Sequence, residues 1–257
     1  DNCNIIVVGN KDISKNLEKF DKKITFFDYQ GEVLNMEKKD IDDKVTVESI
    51  IENNIKALGG EENMSQWNDV ILKSELVIQG APMKINLTQG YKKPNNFFMS
   101  MKAKMLGELQ GMKYNGSEAS MSGMQGERVL SSADIEKEIE NFLLYPILSR
   151  DELGNKFELK EIEVINGVDT YKVIRTNKQG DKKSMFFSTK SGHLVKEVFQ
   201  KDGMQNIIEY SNYTSFKNLT LPKNTSISVI TEQGSQIIKA ILNEVIINEG
   251  IDDSNFN

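Results

Sequence analysis

The sequence predicts an α+β protein: a small βαβ fragment followed by a curved antiparallel half-barrel covered by helices. Three observations predict it. A β-branched run, Ile5 to Val8, opens the chain ahead of a helical spacing and a second strand, the order of a βαβ unit. From about Asn68 onward apolar and polar residues alternate, the period of strands with one wet face. Turn dipeptides then recur between alternating runs, while only two helical spacings interrupt the body, at 46–58 and 131–145.

In the head, residues 5–9 read as a strand closed by Gly9, and Ile13, Leu17 and Phe20 follow at helical spacing with Asp12 as cap. A second strand, Ile24 to Asp28, leads through Gln30-Gly31 into Val33-Leu34. So small a fragment buries little of its sheet, so residues 1–36 read as the terminal strand-helix-strand of a larger domain, dependent on a neighbour. Residues 37–45 are charged and aperiodic, the pattern of a linker, and 46–257 form the body.

The body enters on a helix. Val47, Ile51, Ile55 and Leu58 share one face with Ile50 beside them, Thr46 is the candidate N-cap, and Gly59-Gly60 is the stop. Val70, Leu72, Leu76 and Ile78, then Met83, Ile85, Leu87 and Tyr91, read as a hairpin across Gly80-Ala81-Pro82. Alternation continues through Phe97, Met99, Met101, Ala103 and Met105. Over 131–145, Ser131-Ser132 and Asp134 start a helix that points Ile135, Ile139, Phe142 and Leu143 inward until Pro146 breaks it. Strands near 157–165, 169–176, 184–189, 194–200, 205–213, 225–231 and 236–247 complete a meander, and the two helices cover its concave side.

Composition excludes several functions. With 32 Lys plus Arg against 38 Asp plus Glu the net charge is -6, which removes the general attraction to nucleic acid. One His and one Cys allow no disulfide, no thiolate zinc cage and no multi-histidine site, so neither catalytic nor metal residues are assigned and no cofactor is expected. The longest apolar run is far too short to span a bilayer. His193 reads as a turn residue, Cys3 as a buried or fraying thiol, and Asp42-Asp43, Glu61-Glu62 and Asp252-Asp253 as solvated surface without calcium-loop spacing. Gly9-Asn10 lacks the glycine pattern of a dinucleotide loop.

Methionine is the unusual feature. Met99, Met101, Met105, Met112, Met121 and Met124 fall among Phe97, Phe98, Leu106, Leu109 and Tyr114. Unbranched, polarizable thioethers suit either a loosely packed core or a deformable lining for acyl chains or apolar peptide segments. The candidate lining is Phe97, Met99, Met101, Met105, Met112 and Tyr114, with Ile139 and Phe142 from the covering helix.

Two resemblances extend this reading. Asn4 to Asn10, Ile13, Leu17, Phe20, Ile24 to Asp28 and Gly31 resemble the last strand-helix-strand of bacterial insulinase-like (pitrilysin-type) zinc metallopeptidases. The body resembles a domain appended to such peptidases and shared with lipoprotein-sorting proteins of LolA-like fold, through Ile50-Ile51, Ala57 to Gly60, Asn166 to Tyr171, Leu221-Pro222 and Ile246 to Phe256. The peptidase's His-x-x-Glu-His helix is absent, so the resemblance implies a non-catalytic C-terminal region whose parent holds zinc and chemistry in N-terminal domains that precede Asp1. It also implies a periplasmic or outer-membrane-associated location and an apolar ligand. The alternatives are a stand-alone periplasmic lipid or lipoprotein carrier and a ligand-free interdomain scaffold.

Overall fold

Phe26–Phe27 (β1) pairs antiparallel with Val33–Leu34 (β2), a two-stranded ribbon within the unit Asp1–Lys39. The computed structural model describes residues 6–8, 17, 24–27, 33–34, 39–81, 83–104, 106–124, 126–232 and 234–257. The expected βαβ arrangement is not confirmed among the described residues. Ile6 to Val8 join no strand, and Ile6 and Val8 are 88% and 96% exposed, so these three residues find no ladder for their backbone groups among the described residues. Leu17 is helical, while the rest of the expected helix lies outside the described residues.

The second unit, Asp40–Asn257, begins with α1, Val47–Ala57. Its start is a reciprocal cap: Ser49 N donates to Thr46 Oγ1 and Thr46 N to Ser49 Oγ, each at 3.1 Å. Its end is a Schellman closure, with Gly60 N donating to the Ile55 carbonyl and Gly59 N to that of Lys56. A short helix, α2 (Glu61–Ser65), buries Met64.

The alternation then resolves into β3 (Asp69–Ile78), β4 (Lys84–Lys92), β5 (Asn96–Ala103), β6 (Gly107–Asn115), β7 (Ala119–Gly123) and β8 (Gly126–Val129). After the crossover come β9 (Lys156–Ile165), β10 (Val168–Thr176), β11 (Lys182–Ser188), β12 (Leu194–Lys201), β13 (Met204–Phe216), β14 (Leu219–Thr231) and β15 (Gly234–Ile247). All 13 form one open, curved antiparallel sheet in the order β8-β7-β6-β5-β4-β3-β15-β14-β13-β12-β11-β10-β9. Sheets this wide curl because the twist between neighbours accumulates. The chain therefore starts at the centre on β3, meanders out to β8, crosses to the far edge, and meanders back to close β15 on β3. Asn166-Gly167 and Asp202-Gly203 both take positive φ at their two residues, the hairpin turn whose twist matches the strands it joins. β13 and β14 are longer than the alternation indicated, since Leu219 to Pro222 continue the ladder beyond an irregularity at Asn212.

The crossover is not the single helix expected over 131–145. Ser131 caps α3 (Ser132–Glu138), a 3-10 turn follows at Ile139–Phe142, and Leu143 is extended before a second 3-10 turn, Pro146–Ser149. The extended residue rotates the chain, so Leu144 rather than Leu143 packs against the core. Pro146 starts the second turn, where its missing N–H is no loss, rather than ending a helix.

Register tells which side chains share a face. Ile247, Val70, Tyr91, Phe97, Tyr114 and Ala119 lie directly opposite one another across six strands, and all are buried. This row meets the helices. Among the described residues, Phe142 packs with Tyr91, Phe97, Met112 and Tyr114 on one half of the sheet, and Ile50 of α1 packs with Val173, Met185 and Phe187 on the other. Leu58, Met64, Val70, Tyr145, Leu219 and Leu221 fill the middle.

His193, read from sequence as a turn residue, lies against the end of α1. Its Nε2 is 3.2 Å from the Ala57 carbonyl, and its ring stacks on Tyr213 with centroids 4.1 Å apart. Burial holds its pKa below the ordinary 6.5, with the Ala57 carbonyl opposing. A depressed folded value means that the folded state binds fewer protons, so this contribution to stability is present above pH 6.5 and lost as pH falls through the lower folded value. Melting temperature followed below pH 6.5 should therefore fall more steeply for the wild type than for His193→Phe; identical slopes would remove His193 from the account.

Phe142 is 2% exposed and closes its aromatic cluster, so Phe142→Ala should cost about 3–5 kcal/mol in denaturant unfolding. Ile139, expected to be inward, is only half-buried at the cluster's margin, and Ile139→Ala should cost distinctly less. Equal losses would contradict the packing order.

Candidate functional site

Strand pairing builds the candidate lining in rows. Met99 sits opposite Gln89 and Met112, and Met112 opposite Met121, so three methionines cross β5, β6 and β7 on the face that carries the aromatic row. One step along the strands, Met101 lies between Leu87 and Gln110 on that same face. The period of two thus gathers Phe97, Met99, Met101, Met112 and Tyr114, and adds Met121 to them.

Their surroundings differ. Phe97, Met112, Tyr114 and Phe142 are 2%, 7%, 6% and 2% exposed. Tyr114 and Phe142 stack with centroids 4.4 Å apart, and Phe97 lies 5.2 Å from Tyr91 and 5.4 Å from Phe142. Such offset and tilted contacts fill the space under the crossover as a core does. Met99, Met121 and Ile139 flank this cluster half-buried, and Met101 is half-buried beyond it. Met105 lies outside the described residues. Met124 leaves the group altogether, 89% exposed where β7 turns into β8. Desolvation raises the hydroxyl pKa of Tyr91 and of Tyr114, so both rings stay neutral.

A cavity of about 150 Å³ adjoins the cluster beneath Trp67, Tyr91, Phe142 and Tyr145. That is below the roughly 300–1,000 Å³ of small-ligand pockets, and of the candidate lining Phe142 alone borders it.

The opposite half of the inner face is charged, which the sequence reading missed. Glu140, two residues before Phe142 on the 3-10 turn, forms ion pairs with Arg175 and, at 3.9 Å, with Lys183, and accepts a hydrogen bond from Asn155 Nδ2 at 2.8 Å. Lys183 also reaches Glu197 at 3.3 Å, and Tyr210 Oη donates to Glu197 at 2.8 Å. Burial, reinforced by the Glu197 carboxylate, pushes the Tyr210 hydroxyl well above its ordinary range. Register offers the missed signal: Arg175, Lys183 and Phe199 are mutual partners across β10, β11 and β12. Two cations directly opposite each other repel unless carboxylates lie between them, and Glu140 and Glu197 supply those. Among the described residues no group of three His, Cys, Asp or Glu could hold a metal ion.

No protein-family model matches the sequence, and no curated protein matches it. In structure the chain is similar to a LolA superfamily protein from Nitrosomonas europaea, with TM-score 0.58 and 13% identity over 83% of this chain and 98% of that one. A domain assigned to outer-membrane lipoprotein sorting from Vibrio parahaemolyticus gives TM-score 0.57 and 12% identity, covering 82% and 97%. A DUF1329 family protein from Desulfovibrio piger gives 0.56 and 10%, also covering 82% and 97%. The expected kinship with insulinase-like zinc peptidases is overturned: these neighbours are matched almost end to end as LolA-like and DUF1329 chains, and nothing among them supports a peptidase parent or missing peptidase domains. At such low identity the likeness shows the fold, an open antiparallel sheet of LolA-like architecture.

Proposed function

We propose that this chain is a carrier of apolar ligands in the cell envelope, holding the acyl part of a lipid or lipoprotein against the inner face of its sheet. The observation that carries this reading is the half-buried group of Met99, Met101 and Met121, from two adjacent rows on the inner face of a LolA-like sheet. Thioether side chains adjust to different chain shapes with little rotamer strain, and each buried CH₂ contributes about 0.8 kcal/mol. A LolA superfamily neighbour and one assigned to lipoprotein sorting support the class of cargo and a periplasmic place of work. The reading is non-catalytic, in keeping with these neighbours, and calls for no cofactor. No helix among the described residues is long and apolar enough to cross a membrane.

The closed aromatic cluster favours one competitor, a ligand-free scaffold whose inner face is simply core. Titration with a fluorescent fatty acid separates the two. Ten buried methylenes give roughly 8 kcal/mol before ordering costs, which makes micromolar affinity the ceiling for a chain of that length. Met99→Asp combined with Met101→Asp puts two carboxylates on the ligand face and should remove the share of binding that this face contributes. No binding by the wild type, or undiminished binding by the double variant, would leave the scaffold as the better account.

A further inference from the structure

A second, larger cavity lies away from the methionines, beneath the last turns of α1. It measures about 330 Å³, which reaches the roughly 300–1,000 Å³ of small-molecule sites. Its floor is closed by Ile50 and Phe187, 2% and 1% exposed, so its accessible apolar surface comes from the half-buried Tyr171 and Ala57, set among the polar Asn53, Ser188, Thr189 and Ser191. Lys56 and Lys190 also line it, both exposed, and neither has a carboxylate or hydrogen-bond partner among the described residues.

The walls are fixed. The turn from β11 to β12 is tied to α1 by Asn54 Nδ2 donating to the Gly192 carbonyl at 2.9 Å and by His193 Nε2 at the Ala57 carbonyl. A Cβ at Gly192, where φ is +74°, would stand 2.7 Å from the Asn53 carbonyl, so only glycine lets the turn come this close. Within the turn, Ser191 N donates to Ser188 Oγ at 3.2 Å and Gly192 N to the Ser188 carbonyl at 2.9 Å. A helix C-terminus repels anions when its carbonyls are bare. Here the carbonyls of Asn54, Ile55, Lys56 and Ala57 are already engaged by Leu58, Gly60, Gly59 and His193, which leaves the lysines to set the local charge.

We propose that this cavity binds a small anionic amphiphile, its apolar body on Tyr171 and Ala57 and its anionic head on Lys56 and Lys190. The site is separate from the methionine face and stands whether or not that face carries a lipid. An ammonium pair at the rim of an apolar pocket selects the charged head, because the same tail without charge gains only the floor. The overall charge of -6 acts on anions at long range but is screened beyond about 8 Å at physiological salt, so the nearby lysines decide.

The test titrates octanoate, octyl phosphate and 1-octanol into ¹⁵N-labelled protein. Octanoate should shift the amide signals of Ser191 and Gly192 and bind at least about tenfold more tightly than octanol. Lys56→Gln with Lys190→Gln, both solvent-facing and without structural partners, should lower octanoate affinity by about tenfold and leave octanol unchanged. If octyl phosphate outranks octanoate the natural head is a phosphate, and if the order is reversed it is a carboxylate; either order upholds the site. Equal affinity for octanoate and octanol, unmoved turn amides, or an unaffected double variant would overturn it. Fatty-acid binding lost only in the methionine variants would sink this cavity while sparing the carrier reading.

Discussion

The crossover turn Ile139–Phe142 is the constraint on which the two-sided core depends. The sheet's order leaves β4 to β7 and β10 to β12 on opposite sides of the β3–β15 junction, so no strand ladder joins their inner faces directly. The turn joins them with two side chains of opposite chemistry. Phe142 enters the aromatic cluster of Tyr91, Phe97 and Tyr114, and Glu140 reaches Arg175 on β10 and Lys183 on β11. The apolar contact removes surface from water without fixing direction, whereas the carboxylate between two cations fixes it.

Much of this was legible in the sequence because the body's inner face obeys a period of two over long runs. Val70 to Ile78 and Phe97 to Ala103 announce their buried rows, and Thr46 with Gly59-Gly60 brackets α1 almost to the residue. The crossover was less legible. Its apolar spacing at Ile135, Ile139 and Phe142 is helical, yet three short pieces form because Leu143 must extend for Leu144 and Tyr145 to turn toward the central core. Tertiary packing overrides local periodicity there. The head was less legible for the opposite reason: Ile6 to Val8 have strong strand composition, but propensity does not provide a partner strand.

The candidate site divides along the same line. Period alone placed Phe97, Met99, Met101 and Met112 on one face. Met124 falls in the same stretch of sequence but at a hairpin tip, so clustering in sequence overstated the group. The charged half was invisible because its members come from four separate segments: Glu140, Arg175, Lys183 and Glu197. No spacing rule links them: the register of β10, β11 and β12 brings Arg175, Lys183 and Glu197 together, and the crossover turn adds Glu140. The peptidase resemblance failed through the same weakness, since short structural motifs in order identify neither a parent protein nor its chemistry.

The two halves also limit how anything could enter beneath the crossover. Phe142 and Glu140 are two residues apart on a tight turn, so a ligand that displaces the ring must move the carboxylate too. Removing Glu140 from Arg175 leaves a guanidinium that is 8% exposed beside Lys183, which is costly unless water or a ligand group replaces the carboxylate. Entry at the methionine face is thus coupled to charge on the far half of the sheet. The half-buried Met99, Met101 and Met121 lie at the margin of the ring cluster and beyond it, where side chains can rearrange before Phe142 has to leave. An apolar chain that stays on this margin avoids the ionic cost, whereas one that reaches the ring cluster must meet it.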